Sequence, residues 1–330
     1  MSRAETRTGR PRWTAKNADK HLLYQESVQD TAHEISFLTR VFKRHTGRIP
    51  LYLREDFCGT ALLCSDWVRS HRERTATGLD IDTDVLAWGI AHNVEPLGER
   101  ASRVRLLAQD VRIPTREKFE AICAYNYSYS VFQSRDELRR YFRAVHRSLR
   151  EDGIFALDAI GGWESQQVLI EKRRCKGFTY VWEQADYDPI SNHYVCHIGF
   201  EFPDGSKLRR AFSYDWRLWQ LQELRELLIE AGFVEVDVYW ETEDENGEGT
   251  GTFRRVTRAW NDPGWNAYLV AKKSPPLPGS PDASAKGGAR ADVRSHGVPR
   301  SSARTHGGRS NGTRTHHTLH SSANGERRSR

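Results

Sequence analysis

The residues of this chain best placed to do chemistry lie in "REDFCGTALL", Arg54 to Leu63, and in three polar groups that follow Glu55 at successive intervals of 25, 30 and 16 residues. Glu55 and Asp56 precede Phe57, Cys58, Gly59 and Thr60; Asp80 closes "TATGLD", Asp110 closes "LLAQD", and Asn126 follows "FEAICAY". A carboxylate accepts two hydrogen bonds at once, so it suits a ligand that presents a pair of hydroxyls. A glycine in a tight turn lets the backbone approach a ligand with no Cβ in the way. Glu55 and Asp56 crowd that turn with negative charge, which disfavours a pyrophosphate and suits a cationic ligand. A dinucleotide enzyme is therefore the second choice.

The elements that must position these groups alternate. Val28, Ala32, Ile35, Leu38 and Phe42 recur at helical spacing and predict one leading amphipathic helix over 21–45. "RIPLYLRED" reads as a strand, "ALLCSDWVRSHR" as a helix, "TATGLDID" as a strand and "DVLAWGIAHNVEPLG" as a helix closed by Pro and Gly. "RVRLLAQDV" and "FEAICAYNYS" supply two more strands. "SRDELRRYFRAVHRSLREDG" is a helix with Ser134 as N-cap and Gly153 beyond its end, and "GIFALDAIGG" is the fifth strand. Strand–helix alternation implies right-handed βαβ units whose strand C-termini share one edge, where ligands bind.

The alternation stops after Gly162. Three antiparallel strands follow, the last two joined near Asp204 and Gly205, and then "QLQELRELLIEAG", "FVEVDVYWE" and "WNAYLVAKK" resume the pattern as a helix and two strands. The expected fold is α/β: a seven-stranded, mostly parallel Rossmann-like sheet with helices on both faces, a helical cap before it and an antiparallel insertion after strand 5. The parts are an arm and cap (1–45), a cofactor-binding half (46–162), the insertion as lid or substrate region (163–215), the rest of the fold (216–273) and a tail (274–330).

That tail holds nine arginines and one lysine against two aspartates and one glutamate, so it carries +7 of the chain's net +6 and leaves the remainder near −1. With no aromatic residue it cannot bury enough apolar surface to offset chain entropy, and disorder is expected. No apolar run approaches the length of a membrane span, and a cytoplasmic location is the default. Five cysteines show no CxxC pair and no zinc-ligand spacing, so no metal is expected.

The residues from Glu55 to Ala61 resemble the first motif of class I S-adenosylmethionine-dependent methyltransferases, an acid followed by three alternating glycines, of which this chain keeps Gly59. The layout is most similar to small-molecule enzymes of the glycine N-methyltransferase kind. The resemblance covers about 45–160 and, less specifically, 216–273. It implies S-adenosylmethionine as methyl donor and a small-molecule acceptor. It implies a cofactor site of Glu55, Asp56, Phe57, Cys58, Gly59 and Thr60; of Asp80 on the ribose, with Ile81; of Gln109, Asp110 and Val111 around the adenine; and of Asn126 beside the methyl. Phe57 departs from the pattern because a β-carbon resists positive φ.

Tyr24 on the leading helix, Tyr127 and Asp158 are the candidate catalytic residues. Tyr125, Tyr127 and Tyr129 form an alternating ladder if their strand continues. The aromatic load of the insertion suits a selective pocket, a homodimer interface or its own small core. Two other readings stand beside the enzyme: an RNA-binding protein or RNA methyltransferase that uses the basic tail, and an idle scaffold.

Overall fold

A computed structural model describes residues 13–245 and 249–285. The central sheet has eight strands in the order β11-β10-β12-β5-β4-β1-β2-β3. Its strands are β1 (Tyr52–Asp56), β2 (Thr75–Asp80), β3 (Val104–Ala108), β4 (Phe119–Ala124), β5 (Leu149–Gly161), β10 (Glu235–Glu243), β11 (Gly249–Val256) and β12 (Trp265–Lys272). Strands β1 to β5 pair in parallel, β12 runs antiparallel to both β5 and β10, and β11 runs antiparallel to β10. All seven expected strands are present. The eighth, β11, lies at an edge in a segment rich in glycine and polar residues; its side chain at Phe253 is buried and most others are not.

Helices cover both faces because each carries an apolar stripe and strong ends. On one side, α2 (Thr31–Thr46) buries Phe37, Leu38, Val41 and Phe42, and it packs with α3 (Leu62–Ser70) in a core around Trp67. On the other, α5 (Arg135–Ser148) and α6 (Leu221–Glu230) bury Leu138, Tyr141, Phe142, Leu224, Leu227 and Leu228. Ser134 caps α5 through the Glu137 N–H, as its sequence predicts, and Gln220 and Glu223 form a capping box on α6. Between β2 and β3, α4 (Thr83–Gly89) starts at Asp82, whose carboxylate accepts from the Asp84 and Val85 N–H groups.

The leading helix is two helices, not one. α1 (Lys20–Val28) ends at Gln29, and Asp30 caps α2 by accepting from the His33 N–H. The apolar periodicity runs through the break, because an aspartate that caps a new helix interrupts the backbone without interrupting the pattern.

After β5 comes a second sheet of four antiparallel strands, β6 (Leu169–Cys175), β7 (Phe178–Asp188), β8 (His193–Glu201) and β9 (Lys207–Arg217). Three of them were expected; β6, "LIEKRRC", is an edge strand whose outward residues are Ile170, Lys172 and Arg174. Tyr180, Trp182, Tyr194, Phe200 and Trp216 fill this sheet's own core together with Leu23 of α1.

The chain does not leave the fold at Lys273. The Leu277 N–H donates to the His45 carbonyl, and α7 (Pro281–Ala285) sets the buried Asp282 against Lys272 Nζ at 3.3 Å and Arg44 Nε at 3.3 Å. The expected tail is therefore packed as far as α7; the Arg-rich and His-rich remainder, 286–330, lies outside the described residues. Among the described residues no helix is long and apolar enough to cross a membrane.

Candidate functional site

The motif turn joins β1 to α3 at the C-terminal edge of the sheet. Its backbone is left-handed at Phe57 (φ 56°), Gly59 (φ 51°) and Ala61 (φ 57°), the three positions at which the resembled motif has glycine. Phe57 and Ala61 thus adopt the glycine conformation at a cost of roughly 1–2 kcal/mol each. Packing holds them: Ala61 is fully buried, and the Phe57 ring lies 5.7 Å from Tyr141 and 5.9 Å from Phe132 on the α5 side of the sheet. The Cys58 N–H donates to the Leu79 carbonyl, and its thiol sits buried against Gly78, where burial pushes its pKa well up; Cys58 is a packing residue. The Gly59 N–H donates to Asp80 Oδ2 at 2.8 Å, which ties the turn to the end of β2. A β-carbon on Gly89 of α4 would lie 2.4 Å from the Thr60 carbonyl oxygen, so that glycine sets how closely α4 approaches the turn.

Glu55 and Asp56 part company because successive strand residues face opposite sides. Glu55 turns toward α3, where it accepts from the Cys64 N–H at 3.1 Å; burial raises its pKa to about 8. Asp56 corrects the expectation placed on it. It points to the α5 side, wholly buried, and accepts from Arg54 Nε at 2.6 Å and the Tyr141 hydroxyl at 2.8 Å. Arg54, equally buried, also donates to the Val111 carbonyl at 3.2 Å and to Thr115 Oγ1 at 3.3 Å. A single guanidinium therefore braces the motif strand and the loop after β3.

Asp80 is half-buried at the crevice rim, where its second oxygen accepts from the Asp82 N–H at 3.0 Å, and Ile81 beside it is 74% exposed. The Gln109 N–H donates to the Asp80 carbonyl and its side chain to the Ile113 carbonyl, which places the β3 loop alongside. Val111 is buried. Asp110 is engaged by its own loop: Arg112 holds both carboxylate oxygens, Oδ1 at 3.1 Å from Nε and Oδ2 at 2.7 Å from Nη2, and this guanidinium keeps the carboxyl below the usual range.

The tyrosine ladder does not exist. β4 ends at Ala124, and Asn126 and Tyr127 are both left-handed at φ 57°. Consequently Tyr125 packs edge-on to Tyr268, Tyr127 enters the core of the second sheet with its hydroxyl donating to Asn266 Oδ1, and Tyr129 enters the α5 side and donates to the Asp158 carbonyl. Asp158 is what holds the turn. Its oxygens accept from the Asn126 N–H at 2.7 Å and the Tyr127 N–H at 2.9 Å, and burial lifts its pKa to about 7. Tyr127 and Asp158, two of the candidate catalytic residues, thus both make hydrogen bonds within the fold.

α1 lies across this edge. The Gln25 amide donates to Thr60 Oγ1 at 2.7 Å, Trp88 Nε1 of α4 donates to Asp19 Oδ2 at 2.9 Å, and the Tyr24 ring lies tilted against Phe212 of β9 with centroids 5.0 Å apart. Tyr24 also shares a hydrogen bond with Tyr214, and burial raises its pKa. Tyr24 therefore faces the junction between α1 and the second sheet.

One group in the crevice went unread in the sequence. Glu34 of α2 is 7% exposed and feels the carboxylates of Glu55 and Asp158, with burial and repulsion all raising its pKa. Its only local signal is position: it follows Asp30 in the first turn of a helix, where an acid reads as a dipole partner. Glu34, Glu55, Asp80 and Asp158 come from four different elements and bring four carboxyl groups to one edge.

No protein-family model matches the chain, and no curated protein matches it by sequence. Solved structures do. An S-adenosylmethionine-dependent methyltransferase from Clostridium acetobutylicum ATCC 824 superimposes with a TM-score of 0.58 at 16% identity, over 76% of this chain and 96% of that one. DesVI of Streptomyces venezuelae gives 0.55 at 17%, over 77% and 96%. CalS10 from Micromonospora echinaspora, an amino pentose methyltransferase involved in calicheamicin biosynthesis that was solved with S-adenosylmethionine bound, gives 0.53 at 16%, over 77% and 96%. The architecture of this chain is the fold of the class I S-adenosylmethionine-dependent methyltransferases.

Proposed function

We propose that the chain is an S-adenosylmethionine-dependent methyltransferase acting on a small molecule. The observation that carries this reading is the convergence of Glu55, Asp80 and the Gly59 turn at the C-terminal strand edge, beside the carboxyl groups of Glu34 and Asp158. Negative charge that is costly in the empty protein becomes favourable once a sulfonium and an ammonium enter. The donor set fits such a ligand: Asp80 has lone pairs left for a diol, and Gly59 leaves its backbone approachable.

When bound, the cofactor supplies a methyl group already activated on sulfur. The chain's own task is to align an acceptor behind that methyl and exclude water, and positioning of this kind accounts for about 7–11 kcal/mol in well-aligned systems. Asp80 and the Gly59 turn would hold such a donor, which would supply the methyl group and keep the displaced electron pair on its own sulfur. Asp158 holds the turn after β4 through the Asn126 and Tyr127 N–H groups, and α1 lies across the strand edge through Gln25 and Thr60. The second sheet, β6 to β9, supplies the wall on the acceptor's side.

Calorimetric titration with S-adenosylhomocysteine tests this. Wild-type protein binds, and Asp80→Ala weakens binding at least tenfold, or about 1.4 kcal/mol. No binding to wild-type protein refutes the reading.

A further inference from the structure

The edge of the central sheet opposite the crevice carries a concave surface of its own. It lies where β1, β2 and β3 begin, beside the last turns of α2 and α3. A groove of 610 Å³ is lined by Thr39, Arg40, Lys43, Ser70, His71 and Arg74, and Pro281 of α7 also borders it. A groove of 340 Å³ meets the first at His71; its cations are Arg69, Arg72, Arg100 and Arg103, and its one acid is Glu99. Arg74 is the fixed point of this surface. It is 4% exposed and lies 3.8 Å over the Trp67 ring, and it donates to Thr39 Oγ1 and Ser70 Oγ at 2.6 Å each and to the Pro50 carbonyl at 3.3 Å. All three acceptors are neutral. Burial lowers the Arg74 pKa to about 10, and no acid acts against it.

A buried cation without a counter-charge is costly until an anion supplies one. Its neighbours add to the same field. Lys43 and Arg100 are exposed and make no ion pair among the described residues, while Arg40 and Arg103 have backbone carbonyls rather than carboxylates as partners. The helix dipole accounts for Lys43 and Arg69, which sit in the last turns of α2 and α3. It does not account for Arg74, which belongs to neither helix. Because these groups spread over two joined grooves, one phosphate meets only some of them, whereas a chain of phosphates can follow the row.

The tail points to the same partner. Residues 286–330, which follow α7 directly, hold ten basic residues against two acidic ones. Like charge keeps such a segment out of a basic groove, so what both can engage is a common polyanion. We propose that this edge of the sheet binds a nucleic acid strand by its phosphates, with Arg74 at the floor of the site and Lys43 and Arg100 on its two arms. Neither groove is lined by Phe, Tyr or Trp, so no base is stacked there and the contact is independent of base sequence.

The test uses the full chain and the fluorescence anisotropy of a labelled oligouridylate of about 20 nucleotides, repeated with oligothymidylate, over about 50–200 mM salt. Wild-type protein binds both. Lys43→Ala with Arg100→Ala, one exposed residue from each groove, weakens binding at least tenfold. It also lowers the slope of log affinity against log salt by about 1.4, the share of two phosphate contacts on a single strand. Lys176→Ala with Arg209→Ala, exposed on the second sheet, removes the same net charge and leaves affinity and slope at wild-type values. Both pairs lie outside the core and melt close to wild type. The proposal is overturned if the Lys43 and Arg100 pair binds like wild type, which would put the contact in the tail alone, or if the control pair weakens binding equally, which would make it an effect of net charge. It falls equally if wild-type protein binds neither oligonucleotide, or if it binds only vesicles containing phosphatidylserine, which would make this edge a membrane contact. The inference does not rest on the methyltransferase reading, so the outcome of the S-adenosylhomocysteine titration leaves it untouched.

Discussion

Replacing Arg54 by Met should expose how the motif strand is held. Arg54 and Asp56 have no solvent exposure, and the guanidinium reaches Asp56, the Val111 carbonyl and Thr115. Removing it strands the Asp56 carboxylate with Tyr141 as its remaining donor. Breaking a buried ion pair from one side costs about 3–5 kcal/mol, which for a domain of this size lowers the melting midpoint by about 6–20 °C. Burial already raises the Asp56 pKa with Arg54 in place, and the variant raises it further. A carboxyl whose folded pKa lies above its unfolded value binds the extra proton in the folded state, so the deficit of Arg54→Met shrinks as pH falls and grows as pH rises through that folded pKa. Neutralising the partner should therefore rescue: Arg54→Met with Asp56→Asn recovers at least half of the loss. Urea denaturation and thermal melts of the two single variants and the double variant complete the cycle. A loss below about 1 kcal/mol for Arg54→Met, or a double variant no more stable than it, would show that the pair does not brace the strand.

Two further outcomes follow from the same geometry. Gly89→Ala puts a methyl against the Thr60 carbonyl, at 2.4 Å before relaxation; it should destabilise the protein by about 1–3 kcal/mol and weaken S-adenosylhomocysteine severalfold, read by melting and calorimetry, whereas unchanged affinity would mean that α4 does not set the turn. Glu55 at about 8 and Asp158 at about 7 sit above their unfolded values, so the ligand-free protein loses stability as pH rises from about 5 through 8, while affinity for the cationic ligand rises over the same window as the carboxylates ionise and protons are released. Titrations in buffers of different ionisation enthalpy count those protons, and a flat affinity from pH 6 to 8.5 would contradict the assignment.

Local signals were legible where the physics is local. Ser134 and Asp82 announce helix starts because a short polar side chain satisfies backbone N–H groups within its own turn. The seven strands of the expected sheet follow from apolar runs alternating with helical periodicity, and their parallel order brings Glu55 and Asp80 to one edge. Signals that depend on a break or an edge were lost. The cap at Asp30 splits a continuous stripe, and the edge strands β6 and β11 carry the charge and glycine that otherwise mark loops.

The sequence by itself determined the doubly wound sheet, the insertion after its fifth strand and the line of polar residues at the strand ends, because periodicity and the handedness of crossovers leave few alternatives. Only the tertiary structure decided which polar groups face the crevice. Asp56 pairs with Arg54 on the far side, the turn at Asn126 and Tyr127 sends three tyrosines in three directions, and Glu34 arrives from a helix remote in sequence. Side-chain direction at the end of a strand depends on backbone angles fixed by packing, and a charge without a neighbour in sequence finds its partners only when separate elements close around it.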